Sequence, residues 1–83
     1  MAEFDYSYLR GFIKEHFGTN QKFADFLGIG VTALYDRLKN TVSFKTSEAR
    51  AVGERFNLSA EDMERLFFTN KVRKIEHNGK EVN

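Results

Sequence analysis

Apolar residues recur at three- and four-residue intervals along almost the whole chain. That spacing lays them along one face of an α-helix, and no stretch of useful length shows the two-residue alternation of a half-buried strand. The core therefore has to be closed by helices alone. The 83 residues are enough for one small domain. Cysteine is absent, which removes a disulfide framework, a thiolate nucleophile and a cysteine-based zinc site. A domain of this size without such staples depends on helix packing or on oligomerisation.

Five helices are expected. In the first, Asp5 caps FDYSYLRGFIKEHFG, with Phe4 and Leu9 as a hydrophobic staple. Its inward positions are Leu9, Ile13 and Phe17, with Phe12 beside them, and Gly18 stops it. Thr19 caps a short second helix, Asn20 to Leu27, that turns Phe23, Ala24 and Leu27 inward. Gly28-Ile29-Gly30 breaks it. A third helix runs from Val31 to Lys39 with Leu34 and Leu38 inward, and Asn40 follows at a position suited to a left-handed backbone. After a loop from Thr41 to Lys45, a fourth helix covers Thr46 to Phe56, with Ala49, Val52, Gly53 and Phe56 on one stripe. Ser59 and Asp62 approximate a capping box and Leu58 and Met63 a staple, which start a fifth helix whose apolar face is Met63, Leu66 and Phe67. Residues 4–70 form the domain. From Asn70 the periodicity fades, and 71–83 is expected to be a basic, mobile tail.

Function concentrates in NQKFADFLGIGVTALYDRLKN, Asn20 to Asn40. Two short helices flank a glycine turn. Ala24 is small enough for the next helix to approach, Gly28 permits a positive φ, and Ile29 plugs the corner. Leu34 and Leu38 anchor the third helix and leave its opposite face free for a groove. This is the pattern of a helix-turn-helix.

Ala24, Gly28, Ile29, Leu34 and Leu38, spaced as AxxxGIxxxxLxxxL, resemble the Cro/repressor-type helix-turn-helix of phages. The wider frame, FDYSYLRGFI, FGTNQKFADFLGIG, FKTSEA, FNLS and FFTNKV, is similar to a group of small prophage regulators of Gram-positive bacteria and covers about residues 4 to 75. The resemblance implies an all-α, five-helix, lambda repressor-like domain that binds double-stranded operator DNA and regulates transcription. The third helix would lie in the major groove, with Val31, Thr32, Ala33, Tyr35 and Asp36 as the base-facing positions. Thr32 suits a hydrogen bond to a base or phosphate, Val31 and Ala33 suit thymine methyls, and Tyr35 reaches backbone or base. Asn20, Gln21 and Lys22 would clamp a phosphate at the start of the second helix, and Lys39 and Lys45 would hold the backbone on the other side. A twofold homodimer, weak or formed only on DNA, would set its half-sites about 34–36 Å apart.

A second expectation comes from the same helix. It has no Arg or Gln at Val31 or Thr32, and Asp36 is acidic. Val31, Ala33 and Tyr35 also suit an apolar patch on another protein, which would make the chain a modulator that binds a partner repressor. Phe67 and Phe68 add a candidate partner interface. Adjacent helix positions diverge by roughly 100°, so either one of the two meets a partner subunit or the tail, or both cover the edge of their own bundle.

Other chemistries find little support. Gly28-x-Gly30-x-x-Ala33 matches a dinucleotide fingerprint, but a helix precedes it where that motif needs a strand. His16 and His77 are the only histidines, and neither has a second ligand four residues on. The carboxylates Glu61, Asp62 and Glu64 fit a helix start, where the dipole favours acids, better than acid–base catalysis. No enzyme activity, metal or cofactor is expected. No apolar run approaches the roughly 18–20 residues that cross a bilayer, and the first residues are acidic where a signal peptide is basic. A cytoplasmic protein that avoids membranes is the expectation. The net charge of +1 hides a division: residues 19–45 carry +2 and 71–83 carry +2, whereas 1–18 carry −1 and 46–70 carry −2. The helix-turn-helix and the tail are the basic parts, so the near-zero total leaves room for a local DNA-facing side.

Overall fold

The computed structural model describes residues 3–71. Five α-helices follow one another: α1 Ser7–His16, α2 Asn20–Leu27, α3 Val31–Leu38, α4 Thr46–Phe56 and α5 Ala60–Phe67. α1 packs on α2 and α5, α2 on α3, and α4 on α5. Among the described residues the only extended pairing is one antiparallel bridge, Phe4 with Asn70, and no helix is long and apolar enough to cross a membrane.

The helix ends follow local chemistry. The Thr19 Oγ1 accepts the Lys22 N–H at 3.2 Å and the Ser59 Oγ accepts the Asp62 N–H at 3.1 Å. Each removes one orphan donor from a first turn. Gly18, at φ 85°, ends α1, and its N–H reaches the Ile13 carbonyl at 3.0 Å. Asn40, at φ 66°, closes α3, which stops at Leu38 with Lys39 as its C-cap. Asn57, at φ 53°, does the same for α4. Glu48, in the first turn of α4, reaches back to accept the Lys45 N–H at 3.0 Å. No side-chain cap comes from Lys45 itself, since an ammonium has no lone pair to offer.

The start of α1 differs from expectation. Tyr6, not Asp5, is the N-cap residue. The Asp5 carboxylate still accepts the Ser7 N–H at 2.8 Å, and hydrogen bonds from Ser7 hold its carboxyl below the usual range. The cause of the shift is tertiary. Asp5 donates its N–H to the Thr69 carbonyl at 2.7 Å, and Phe4 pairs with Asn70, so both are pulled out of the helix. With the cap displaced, Phe4 packs at the edge of the core that holds Leu9 and meets Phe68 edge-on, with ring centroids 6.0 Å apart.

The centre of the core is Leu9, Ile13, Phe23, Leu34, Val52 and Leu66, all essentially without solvent contact. Ala24, Leu38, Ala49 and Phe67 join them, and so does Tyr6, which the spacing did not single out. Phe12, Phe17, Leu27, Phe56 and Met63 are half-buried around this centre. A Cβ added at Gly53 would stand 2.8 Å from the Met63 Sδ, so α5 lies over α4 where a side chain is missing. The adjacent pair Phe67 and Phe68 divides as helix geometry requires: Phe67 is buried and Phe68 is 53% exposed. Phe68 packs on Phe4 of its own chain.

The expected tail falls mostly on residues 72–83, outside the described residues. Asn70 and Lys71 belong to the closure of the fold: Lys71 donates its N–H to the Glu3 carbonyl at 3.2 Å, and its Nζ lies 3.6 Å from the Glu3 carboxylate.

Candidate nucleic-acid interface

The junction of α2 and α3 is made by backbone conformation. At Gly28, φ is 77°, a region that costs an L residue about 1–2 kcal/mol. The reversal lets the Ile29 N–H bond the Ala24 carbonyl at 3.0 Å and the Gly28 N–H bond that of Asp25 at 3.1 Å, which satisfies the open end of α2. Gly30 is extended and leads into α3. Ala24 is fully buried where α2 meets the rest of the core, and half-buried Ile29 fills the corner.

α3 then presents two faces. Leu34, Arg37 and Leu38 are buried. Thr32, Tyr35 and Lys39 are exposed, Tyr35 by 44%, and their spacing of three and four residues puts them on one stripe. Val31, Ala33 and Asp36 are half-buried, so they flank that stripe. The Ala33 carbonyl accepts a bond from Arg37, and the Asp36 carbonyl accepts the N–H groups of Thr41 and Val42 at 2.9 and 3.2 Å, which wraps the chain around the end of α3.

The expected phosphate-contacting residues fall in three places. Asn20, Gln21 and Lys22 form the first turn of α2; Asn20 is half-buried, the other two exposed. The Gln21 amide is tied to the Asp25 carboxylate at 2.9 Å, and the Lys22 N–H is taken by Thr19. Of this turn, the Lys22 ammonium and the N–H groups of Asn20 and Gln21 remain for a ligand. Lys39 follows α3, and Lys45 precedes α4; both are exposed. Lys22, Lys39 and Lys45 make no ion pair among the described residues.

Several contributors were not anticipated. Arg37 and Glu48 form a buried, two-bond ion pair, Nε to Oε1 at 2.8 Å and Nη2 to Oε2 at 2.9 Å, joining α3 to α4. Burial pushes the Glu48 carboxyl up, but the Arg37 guanidinium and the Lys45 N–H pull it down by more, so it lies below the usual carboxylate range. A signal was present: Arg37 sits between Leu34 and Leu38 on the inward stripe, where a charge needs a partner. Asn40 clamps the N-terminal segment, its Oδ1 accepting the Phe4 N–H at 2.9 Å and its Nδ2 donating to the Phe4 carbonyl at 3.0 Å. Arg10 of α1 donates to the Leu38 carbonyl at 3.4 Å, and with Lys14 it lines a cleft of about 350 Å³ that includes Thr19 and Asn20.

A cavity of about 730 Å³ lies between the N-terminal segment, the loop before α4, α4 and α5. Phe4, Tyr6, Phe44, Met63, Phe67 and Phe68 line it, and Lys45, Arg50 and Glu54 stand among them. Its lining holds one carboxylate and no histidine, and no group of three metal-ligating side chains occurs among the described residues. His16 is spent in packing, its ring 4.4 Å from that of Phe12 and 4.9 Å from that of Phe56.

Residues 1–70 match the family described as "Protein of unknown function (DUF739)". The chain belongs to the DUF739 family. The match takes in all five helices of this DUF739 chain and the bridge between Phe4 and Asn70, so α3, its two junctions and the flanking lysines all belong to the family domain. No curated protein matches the chain.

Proposed function

We propose that this chain is a transcriptional regulator that binds double-stranded DNA sequence-specifically, as Cro-like phage repressors do. In this reading α2, the Gly28 turn and α3 are a helix-turn-helix within a lambda repressor-like domain. The observation that carries the reading is the division of α3. Its inner face is anchored by Leu34, Arg37 and Leu38, while Thr32, Tyr35 and Lys39 stand exposed on one stripe. A helix held on one side and open on the other is what a major groove about 12 Å wide receives. Thr32 and Tyr35 read bases or adjacent phosphates, and Val31, Ala33 and Asp36 line the edges of the contact. Lys22, Lys39 and Lys45 neutralise phosphates, and the first turn of α2 offers its free N–H groups to another. Two copies would present their α3 helices about 34–36 Å apart on successive major grooves.

The test is binding to the DNA of its own control region and to random duplex. The double change Thr32→Ala, Tyr35→Ala is expected to lower preference for the specific site at least about tenfold, the size of one good base contact. Stability should stay within about 0.5 kcal/mol, since both side chains are exposed. Unchanged preference would overturn the assignment of these residues. Lys39→Ala should weaken all sequences alike and reduce the salt slope by about one.

A modulator that binds a partner repressor is the second reading. Phe26, Tyr35 and Val42 support it: they are among the few large apolar side chains left exposed, by 36%, 44% and 45%, and they belong to α2, α3 and the loop that follows. In that case gel shifts stay blank at near-physiological salt, and Tyr35→Ala weakens capture of the repressor instead.

A further inference from the structure

We propose that the Arg37–Glu48 pair is a positioning device that fixes the base-facing start of α3 relative to Lys45, so that base readout and phosphate contact are held in one register. The inference rests on the DNA-binding reading above and adds residues that touch no DNA.

The argument starts from what the pair is not needed for. Two charges withdrawn from water give little net stability, and apolar side chains of similar volume do as well or better. The surroundings would accept them, because Leu34, Leu38, Ala49 and Val52 are already buried on the same two helices. What an apolar contact lacks is direction. A guanidinium offers its donors in a rigid planar fork, and here three donors are engaged at once. Nε and Nη2 meet the two Glu48 oxygens at 2.8 and 2.9 Å, and Nη1 meets the Ala33 carbonyl at 3.0 Å. Glu48 Oε1 also accepts the Lys45 N–H at 3.0 Å.

The bonds form one chain, from the Ala33 carbonyl through Arg37 and Glu48 to the backbone of Lys45. Its two ends are residues of the proposed interface, one at the edge of the base contact and one at a phosphate. The covalent route between them runs through residues 39–45, which are exposed except for half-buried Asn40 and Phe44. The anchors of this loop, Asn40 on Phe4, Thr41 and Val42 on the Asp36 carbonyl and Phe44 against Tyr6 and Phe67, tie it to the N-terminal segment, α3 and α5, and none of them joins α3 directly to α4. The ion pair bypasses the loop.

The experiment compares the unaltered protein with Arg37→Met/Glu48→Met and with Arg37→Lys, which keeps the charge and loses the fork. The probes are a duplex selected from a random pool by the unaltered protein and a scrambled duplex of the same length. Melting temperature is recorded alongside. Because the chain has no cysteine, spin labels at Thr32→Cys and Arg50→Cys report the α3–α4 distance distribution separately. The double variant is expected to stay folded and lose about tenfold of its preference for the selected duplex, the equivalent of one base contact. Its affinity for the scrambled duplex should hardly change, and the distance distribution should broaden. A folded double variant with full preference and an unchanged distribution overturns the proposal. If the double variant does not fold, Arg37→Lys is read by the same two criteria. If the unaltered protein selects no duplex, the DNA reading fails on its own; a broadened distribution then still supports the positional assignment, and an unchanged one overturns it.

Discussion

Helix α3 is held at its two ends by joints of different kinds. Toward α2 the joint is short and apolar. Gly28 turns the chain, Ile29 fills the corner, and fully buried Ala24 lets the helices approach. Toward α4 the joint is long and polar. Residues 39–45 cross exposed ground, Asn40 clamps Phe4, and the Arg37–Glu48 pair carries the connection through the interior. The first joint is specified by residues close in sequence and by one backbone conformation. The second is specified by partners 11 and 36 positions apart. The near end of α3 is thus set by local rules, and the far end by contacts distant in sequence.

Substitutions separate the two joints. The largest effect is expected at the polar one. Glu48→Gln leaves the Arg37 guanidinium buried without its counter-charge and should cost about 3 kcal/mol at pH 7. Its pH dependence has a fixed sign. The folded Glu48 carboxyl lies below its ordinary value of 4.5, so its contribution is complete above that value and is lost as pH falls through the folded one. Melting curves of the two proteins should therefore draw together once the pH falls below 4.5 and through the folded value; a gap that stays constant down to acid unfolding would show that the charge is not what binds this joint. The apolar joint comes next. Ala24→Leu overfills a fully buried site and should cost about 2 kcal/mol with little dependence on pH. Denaturant titration by circular dichroism measures it, and a neutral result would mean that α2 and α3 do not need the close approach. Smallest is Gly28→Ala. An added Cβ meets no atom within 4 Å, so only the backbone strain remains, about 1 kcal/mol. A cost near 3 kcal/mol in the same titration would show that the turn is strained beyond its φ angle.

The same contrast explains what could be read in advance. The five helices, the Thr19 and Ser59 caps and the left-handed Asn40 depend on neighbours within a few positions, and they stand where the residues indicated. Of the five positions expected on the open face of α3, Thr32 and Tyr35 are exposed, because the inward positions Leu34 and Leu38 define the opposite face, and Lys39 extends their stripe. The half-burial of Val31, Ala33 and Asp36 was not, since the reach of neighbouring elements over a helix flank depends on tertiary packing. The start of α1 was misplaced for the same reason: Asp5 is a good cap by type, but the pairing with Thr69 holds it outside the helix. The ion pair escaped because nothing local links Arg37 to Glu48, though a charge on an apolar stripe was a sign that a partner existed.

The bridge between Phe4 and Asn70, with Lys71 bonded to the carbonyl of Glu3, gives the domain a property of its own. Its first and last described stretches run side by side, so the described chain returns to where it started. A few linking residues between 71 and 3 would close that circuit, and exposed Ser43, just past the two N–H groups held by the Asp36 carbonyl, offers a place to open it again. A chain recut in this way keeps every helix whole and moves the free ends next to α3, where a reporter group or a second DNA-binding unit can be attached beside the stripe it is meant to serve.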